Sequence, residues 1–216
     1  MKYSLKKPDL AIWLSLLPVN NLQVSELELT WSKQLQNNRK IEFLNSRFQL
    51  RNVLSDLFQF DPKDIPLEAP PGKPPILKTG FGFVSLSHCN NSLLMGWSNY
   101  SIGVDIESSE RSFEARKILE RFYSKREKNK FSKLNNGDLI REVMNLWVIK
   151  EAAIKSVKGI FPQDLQFWEI NEHSGLVENI KTGIKRKIFK TNLNKFTIAV
   201  AYDQNIEIKN PIICII

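Results

Sequence analysis

The order in which hydrophobic periods follow one another constrains this chain most. From Arg39 to Phe60 the apolar residues Phe43, Leu44, Leu50, Val53, Leu54, Leu57 and Phe58 recur at helical spacing. Strand-like runs follow at about Phe83–Ser87, Leu93–Ser98 and Ser101–Glu107, with an Asn90-Asn91 turn near the first. The second half repeats the order. Helices are expected near Phe113–Arg121 and from Ile140 to Val157, and strands near Phe167–Asn171, Lys185–Lys190 and Phe196–Tyr202. Helices then strands, twice over similar lengths, predict an α+β protein of two pseudo-duplicated subdomains, residues 1–100 and 101–216. The residues themselves carry no clear repeat.

Local signals refine the elements. Ile12–Leu16 reads as a first strand. Ser25-Glu26-Leu27-Glu28 and Ser124-Lys125-Arg126-Glu127 have capping-box spacing, the first opening a helix to about Asn37. Asp61–Pro75 reads as loop and Asn135-Asn136-Gly137-Asp138 as a turn. The short apolar run after Lys6 and Lys7 is too short for a membrane span and lacks a small-residue cleavage site. Cys89 and Cys214 form neither a disulfide framework nor a metal spacing. A soluble, reduced, cytoplasmic protein is the expectation. The net charge is +8, spread over both halves, which suits an anionic ligand, an acidic protein or nucleic acid without choosing among them. The densest basic patch, Lys185-Arg186-Lys187, reads as the solvated part of a hairpin.

Asp105 and Glu107 sit at i, i+2 in an apolar strand and so share a face. Their Cα atoms lie about 6.5–7 Å apart, and two ionised groups at that distance repel by about 2–3 kcal/mol at an effective dielectric of 20. Either the strand end is solvated or a cation offsets the charge. Oxygen ligands of this kind suit Mg²⁺. In the helix that follows, Trp147, Glu151 and Lys155 fall on one stripe. Glu151 and Lys155 read either as an ordinary helix pair or as a third metal carboxylate and a phosphate-binding lysine; Trp147 reads as core.

Taken together, these residues resemble the 4′-phosphopantetheinyl transferases of the larger, surfactin-synthetase-activating type. The resemblance rests on Ser87-His88, on Gly103-Val104-Asp105-Ile106-Glu107, and on Trp147-Val148-Ile149-Lys150-Glu151-Ala152 followed by Lys155. The Gly72-Lys73-Pro74 turn, Phe122–Glu127 and the arginine-bearing Ser46–Arg51 segment also match, so it spans roughly residues 39–159. Ser85 stands where the family often has Asn, and Cys89 where a serine often follows the histidine.

The resemblance implies a pseudo-twofold fold with the site between its halves. It implies transfer of 4′-phosphopantetheine from coenzyme A to a serine of an apo acyl or peptidyl carrier protein, releasing adenosine 3′,5′-bisphosphate. Asp105, Glu107 and Glu151 would hold Mg²⁺ (or Mn²⁺), Glu151 would be the base, and Lys155 would stabilise the leaving phosphate. Arg47, Lys73, Ser87 and His88 would grip the nucleotide, with Arg39 and Arg51 as alternatives to Arg47. A monomer that binds neither nucleic acid nor membrane is implied. Read without the family, His88 fits a satisfied, partly buried histidine, Lys73 a solvated turn residue, Glu127 a helix cap, and Arg51 a partner of Asp56 or another acid. The competing functions are a Mg²⁺-dependent nuclease built on the same carboxylates and a non-catalytic binding module with a basic face.

Overall fold

The computed structural model describes residues 8–17, 23–171, 174–207 and 211–216. Residues 1–7, which hold the lysines of the opening run, lie outside them. Strand β1 (Leu10–Leu16) is followed by α1 (Glu26–Ser32), opened by the expected capping box: the Ser25 side chain accepts from Glu28 N–H while Glu28 reaches back to the Ser25 N–H. That helix stops at Ser32, short of Asn37, and Gln36 in extended backbone (ψ 156°) caps the next helix. The long helix α2 (Asn37–Phe58) ends where Gln59 turns left-handed, φ 58°, and donates to Ser55 O. The expected loop Asp61–Pro75 carries the short strand β2 (Leu67–Glu68), which pairs with β3 (Ile76–Leu77) just past it. A tight hairpin follows, β4 (Phe83–Cys89) and β5 (Ser92–Ser98).

The second half opens on β6 (Ile102–Ser108) and continues through α3 (Ala115–Phe122), α4 (Lys125–Phe131) and α5 (Asn136–Ser156). The expected turn at Asn135–Asp138 is instead the N-cap and first turn of α5. The Asn135 side chain accepts from Asp138 N–H, and Asn is as much a cap residue as a turn residue. Strands β7 (Trp168–Asn171), β8 (Leu176–Asn179), β9 (Lys185–Leu193) and β10 (Phe196–Asp203) complete this half, and β11 (Ile213–Ile215) follows. Neither β8 nor β11 was evident in the residues. The basic patch also departs from a solvated reading. Arg186 Nε donates to Ser156 Oγ at the end of α5 (3.1 Å), and Lys187 Nζ donates to Ile206 O (3.0 Å).

The fold is α+β with two sheet-bearing subdomains. One sheet has the order β11-β1-β5-β4 and the other β6-β10-β9-β8-β7. The duplication invisible in the residues is visible here. A first strand, a long helix and a hairpin recur, and in each half the first strand pairs antiparallel with the second strand of the hairpin: β1 with β5, and β6 with β10. The last strand, β11, returns to pair parallel with β1. Helix α2 packs Leu50, Val53, Leu54 and Phe58 on Leu93, Met95 and Trp97 of β5. Helix α5 packs Val148, Ala152 and Ala153 with Ala199 and Ala201 of β10. The opposite faces share one core, in which Ile12, Leu14 and Leu94 meet Val104, Ile106, Ile198 and Val200. Burial on both faces explains why β5 is apolar almost throughout. Among the described residues no helix is long and apolar enough to cross a membrane.

Candidate active site

The site begins with a missing side chain. Gly103, Asp105 and Glu107 alternate with Val104 and Ile106, whose side chains enter the shared core, so the first three face the other way. There α5 comes so close that a Cβ on Gly103 would lie 1.9 Å from Ala152 O and 2.5 Å from Ser156 N. That approach brings the stripe of α5 carrying Glu151 and Lys155 against the strand carrying the two acids. One ligand oxygen from each of Asp105, Glu107 and Glu151 lies within 4.8 Å of the others.

Two protein cations offset part of this charge. Lys155 Nζ donates to Asp105 Oδ1 (2.8 Å) and Ser87 Oγ (2.9 Å) and lies 3.2 Å from Glu151 Oε1. Ser87 Oγ in turn donates to Asp105 Oδ1 (2.6 Å). Arg111 Nη1 donates to Glu107 Oε1 (2.5 Å). Asp105 is 2% exposed. Burial pushes its carboxyl up to about 7, against the pull of Lys155. Burial works to lower the Lys155 ammonium, but Asp105 and Glu151 outweigh it and hold the group above its ordinary value. Asp105 Oδ2 is buried with no hydrogen-bond partner. An orphaned carboxylate oxygen beside two more carboxylates is a set of hard oxygen donors, and it fits a divalent cation such as Mg²⁺ or Mn²⁺.

Next to this cluster lies a cavity of about 910 Å³, walled by the Gly72–Pro75 turn, β4 and the end of α5. Lys73, His88 and Lys155 line it. Gly72, at φ 73°, makes the turn that presents Lys73, whose ammonium has no ion pair among the described residues. His88 is half-buried, its Nε2 lacks a partner, and burial holds its pKa below the ordinary value. Lys155 therefore belongs to both places, the carboxylate cluster and the cavity wall.

The remaining expected residues do not line the cavity, although Arg47 and Arg39 lie close enough to His88 to help lower its pKa. Arg47 is buried over the Phe43 ring, with Nε donating to Ala69 O (2.7 Å) and Nη1 to Ser46 Oγ (3.1 Å), and burial lowers it to about 10. Arg51 pairs with Glu28, not Asp56, and donates to the carbonyls of Pro62 and Ile65. Arg39 is exposed, 3.6 Å from Glu42. Glu127 caps α4 and takes the ammonium of Lys150 at 2.5 Å. Lys150 is fully buried, also donates to Leu165 O and lies over the Tyr123 ring. Glu127 thus ties α4 to α5, and none of its hydrogen bonds reaches the carboxylate cluster.

Two contributors escaped the sequence reading. Ser85 Oγ accepts from Val104 N–H (3.0 Å) and, with Ser87, stitches β4 of one sheet to β6 of the other. Their i, i+2 spacing was the available signal. Arg111 stands four residues after Glu107, but beyond the strand end, where that spacing fixes no geometry.

A comparison with curated proteins returns no match. Residues 101–201, from the start of β6 through most of β10 and including Asp105, Glu107, Glu151 and Lys155, match the model of the 4′-phosphopantetheinyl transferase superfamily, so this part of the chain is similar to that family's domain.

Proposed function

We propose that the protein transfers 4′-phosphopantetheine from coenzyme A to a serine hydroxyl of an apo carrier protein, using Mg²⁺ or Mn²⁺. The observation that carries this reading is the double placement of Lys155. It joins a carboxylate cluster able to hold a divalent cation to a cavity lined by Lys73 and His88. A nucleotide in the cavity would lay its diphosphate at that junction.

In this reading Asp105, Glu107 and Glu151 hold the ion, which when bound neutralises charge on the diphosphate. Glu151 accepts the proton of the serine hydroxyl, directly or through water. The serine oxygen bonds to the phosphorus that bears pantetheine, the bridging P–O bond breaks, and adenosine 3′,5′-bisphosphate leaves. Lys155 donates to the leaving phosphate. Lys73 and His88 bind the nucleotide phosphates. Ser87 orients Asp105 and Lys155. Arg47 acts at one remove, fixing Ala69 at the base of the turn that carries Lys73.

Intact-protein mass spectrometry tests the reading. Apo acyl carrier protein and carrier domains from peptide and polyketide synthases are incubated with the protein, coenzyme A and Mg²⁺. One phosphopantetheine should be added to at least one carrier, and the gain should be absent with Glu151→Gln or a chelator. No gain on any carrier, together with no binding of coenzyme A, overturns it.

A further inference from the structure

The charges around the carboxylate cluster are arranged in pairs. Lys155 holds Oδ1 of Asp105 and Oε1 of Glu151, while Arg111 holds Oε1 of Glu107. Each acid therefore has one oxygen on a protein cation, and Asp105 Oδ2 is left buried without a partner. Three carboxyl groups face two protein cations. Lys155 is anchored on helix α5 and by Ser87. Arg111 is different: it stands just past the end of β6, its side chain is 48% exposed, and Glu107 is its only ion-pair partner among the described residues.

We propose that Arg111 is a positioning and charge-balancing residue for the metal site. It turns Glu107 by one oxygen and keeps the cluster close to neutral, so that the protein alone binds a divalent cation weakly. The cation is then taken up mainly together with an anionic diphosphate, whose charge restores the deficit. Metal and coenzyme A bind with positive coupling, and by linkage each strengthens the other by the same factor. The coenzyme A half rests on the function proposed above; the metal half does not.

The test is Mn²⁺ binding by the full chain, read by electron paramagnetic resonance of the free ion, with and without coenzyme A. Arg111→Gln removes one positive charge from a metal ligand. It should tighten Mn²⁺ binding to the protein alone by about tenfold and shrink the gain that coenzyme A adds. Arg111→Lys keeps the charge and should stay near wild type. Arg116→Gln, an exposed arginine on α3, is the control for net charge and should change nothing. Unchanged or weaker Mn²⁺ binding in Arg111→Gln, or equal tightening in Arg116→Gln, overturns the proposal. If coenzyme A does not bind at all, the transferase reading fails while the Mn²⁺ comparison in the protein alone still decides the role of Arg111.

Discussion

Gly103→Ala is the smallest change that should dismantle the site. The new methyl carbon would sit 1.9 Å from Ala152 O, where ordinary contact begins at 3.4 Å, and 2.5 Å from Ser156 N. Both obstacles are backbone, so no side chain can swing away. The helix must retreat by about 1.5 Å or the strand must bend. Overpacking of this kind costs about 1–3 kcal/mol, and the upper end applies because α5 is also bound to β10 through Ala152 and Ala153. In a chain of this size that lowers Tm by about 5–10 °C. The same retreat carries Glu151 and Lys155 away from Asp105, and misplacement by about 1 Å can cost a hundredfold in rate. Differential scanning fluorimetry and Mn²⁺ titration on one preparation measure both effects. A variant with wild-type Tm and wild-type Mn²⁺ affinity would refute the claim that this close approach sets the site.

Three further outcomes are expected. Because the Asp105 carboxyl is raised to about 7, the folded protein holds that proton more tightly than the unfolded chain. Its stabilising contribution is complete below about pH 4 and is lost as pH rises through 7. Metal and proton compete for it, so the thermal shift produced by Mn²⁺ should grow between pH 6 and 8, and Asp105→Asn should flatten that profile. Lys150→Ala leaves Glu127 buried without its cation and should cost about 3–5 kcal/mol in chemical denaturation, whereas Lys150→Met with Glu127→Gln should recover a good part of it. With a net charge of +8, the protein should modify an acidic carrier more slowly as salt rises from 50 to 300 mM, through a falling kcat/KM rather than kcat.

Features set by local period or spacing were readable from the residues. Asp105 and Glu107 share a face because strands alternate, and Glu151 and Lys155 share a stripe because helices repeat near four. Both capping boxes formed as written. Features that depend on distant packing were not readable. Arg47 reads as a phosphate ligand in sequence, and nothing local announces its bond to Ala69 O, twenty-two residues on. Strand β11 is a short apolar run until β1, at the other end of the chain, gives it a partner. Asn135 could open a turn or a helix, and only the packing of α5 decides. The need for glycine at position 103 is not legible locally, because it comes from the backbone of a helix about fifty residues later.

The proposed reaction requires the acids of β6 and α5 to hold one divalent ion against a diphosphate lying between the subdomains. Anomalous diffraction from crystals grown with Mn²⁺ and coenzyme A locates both. One manganese peak should be bound by Asp105, Glu107 and Glu151 and by diphosphate oxygens, with the nucleotide in the cavity beside Lys73 and His88. A peak that touches the acids of only one element, or coenzyme A bound away from Lys155, would contradict it.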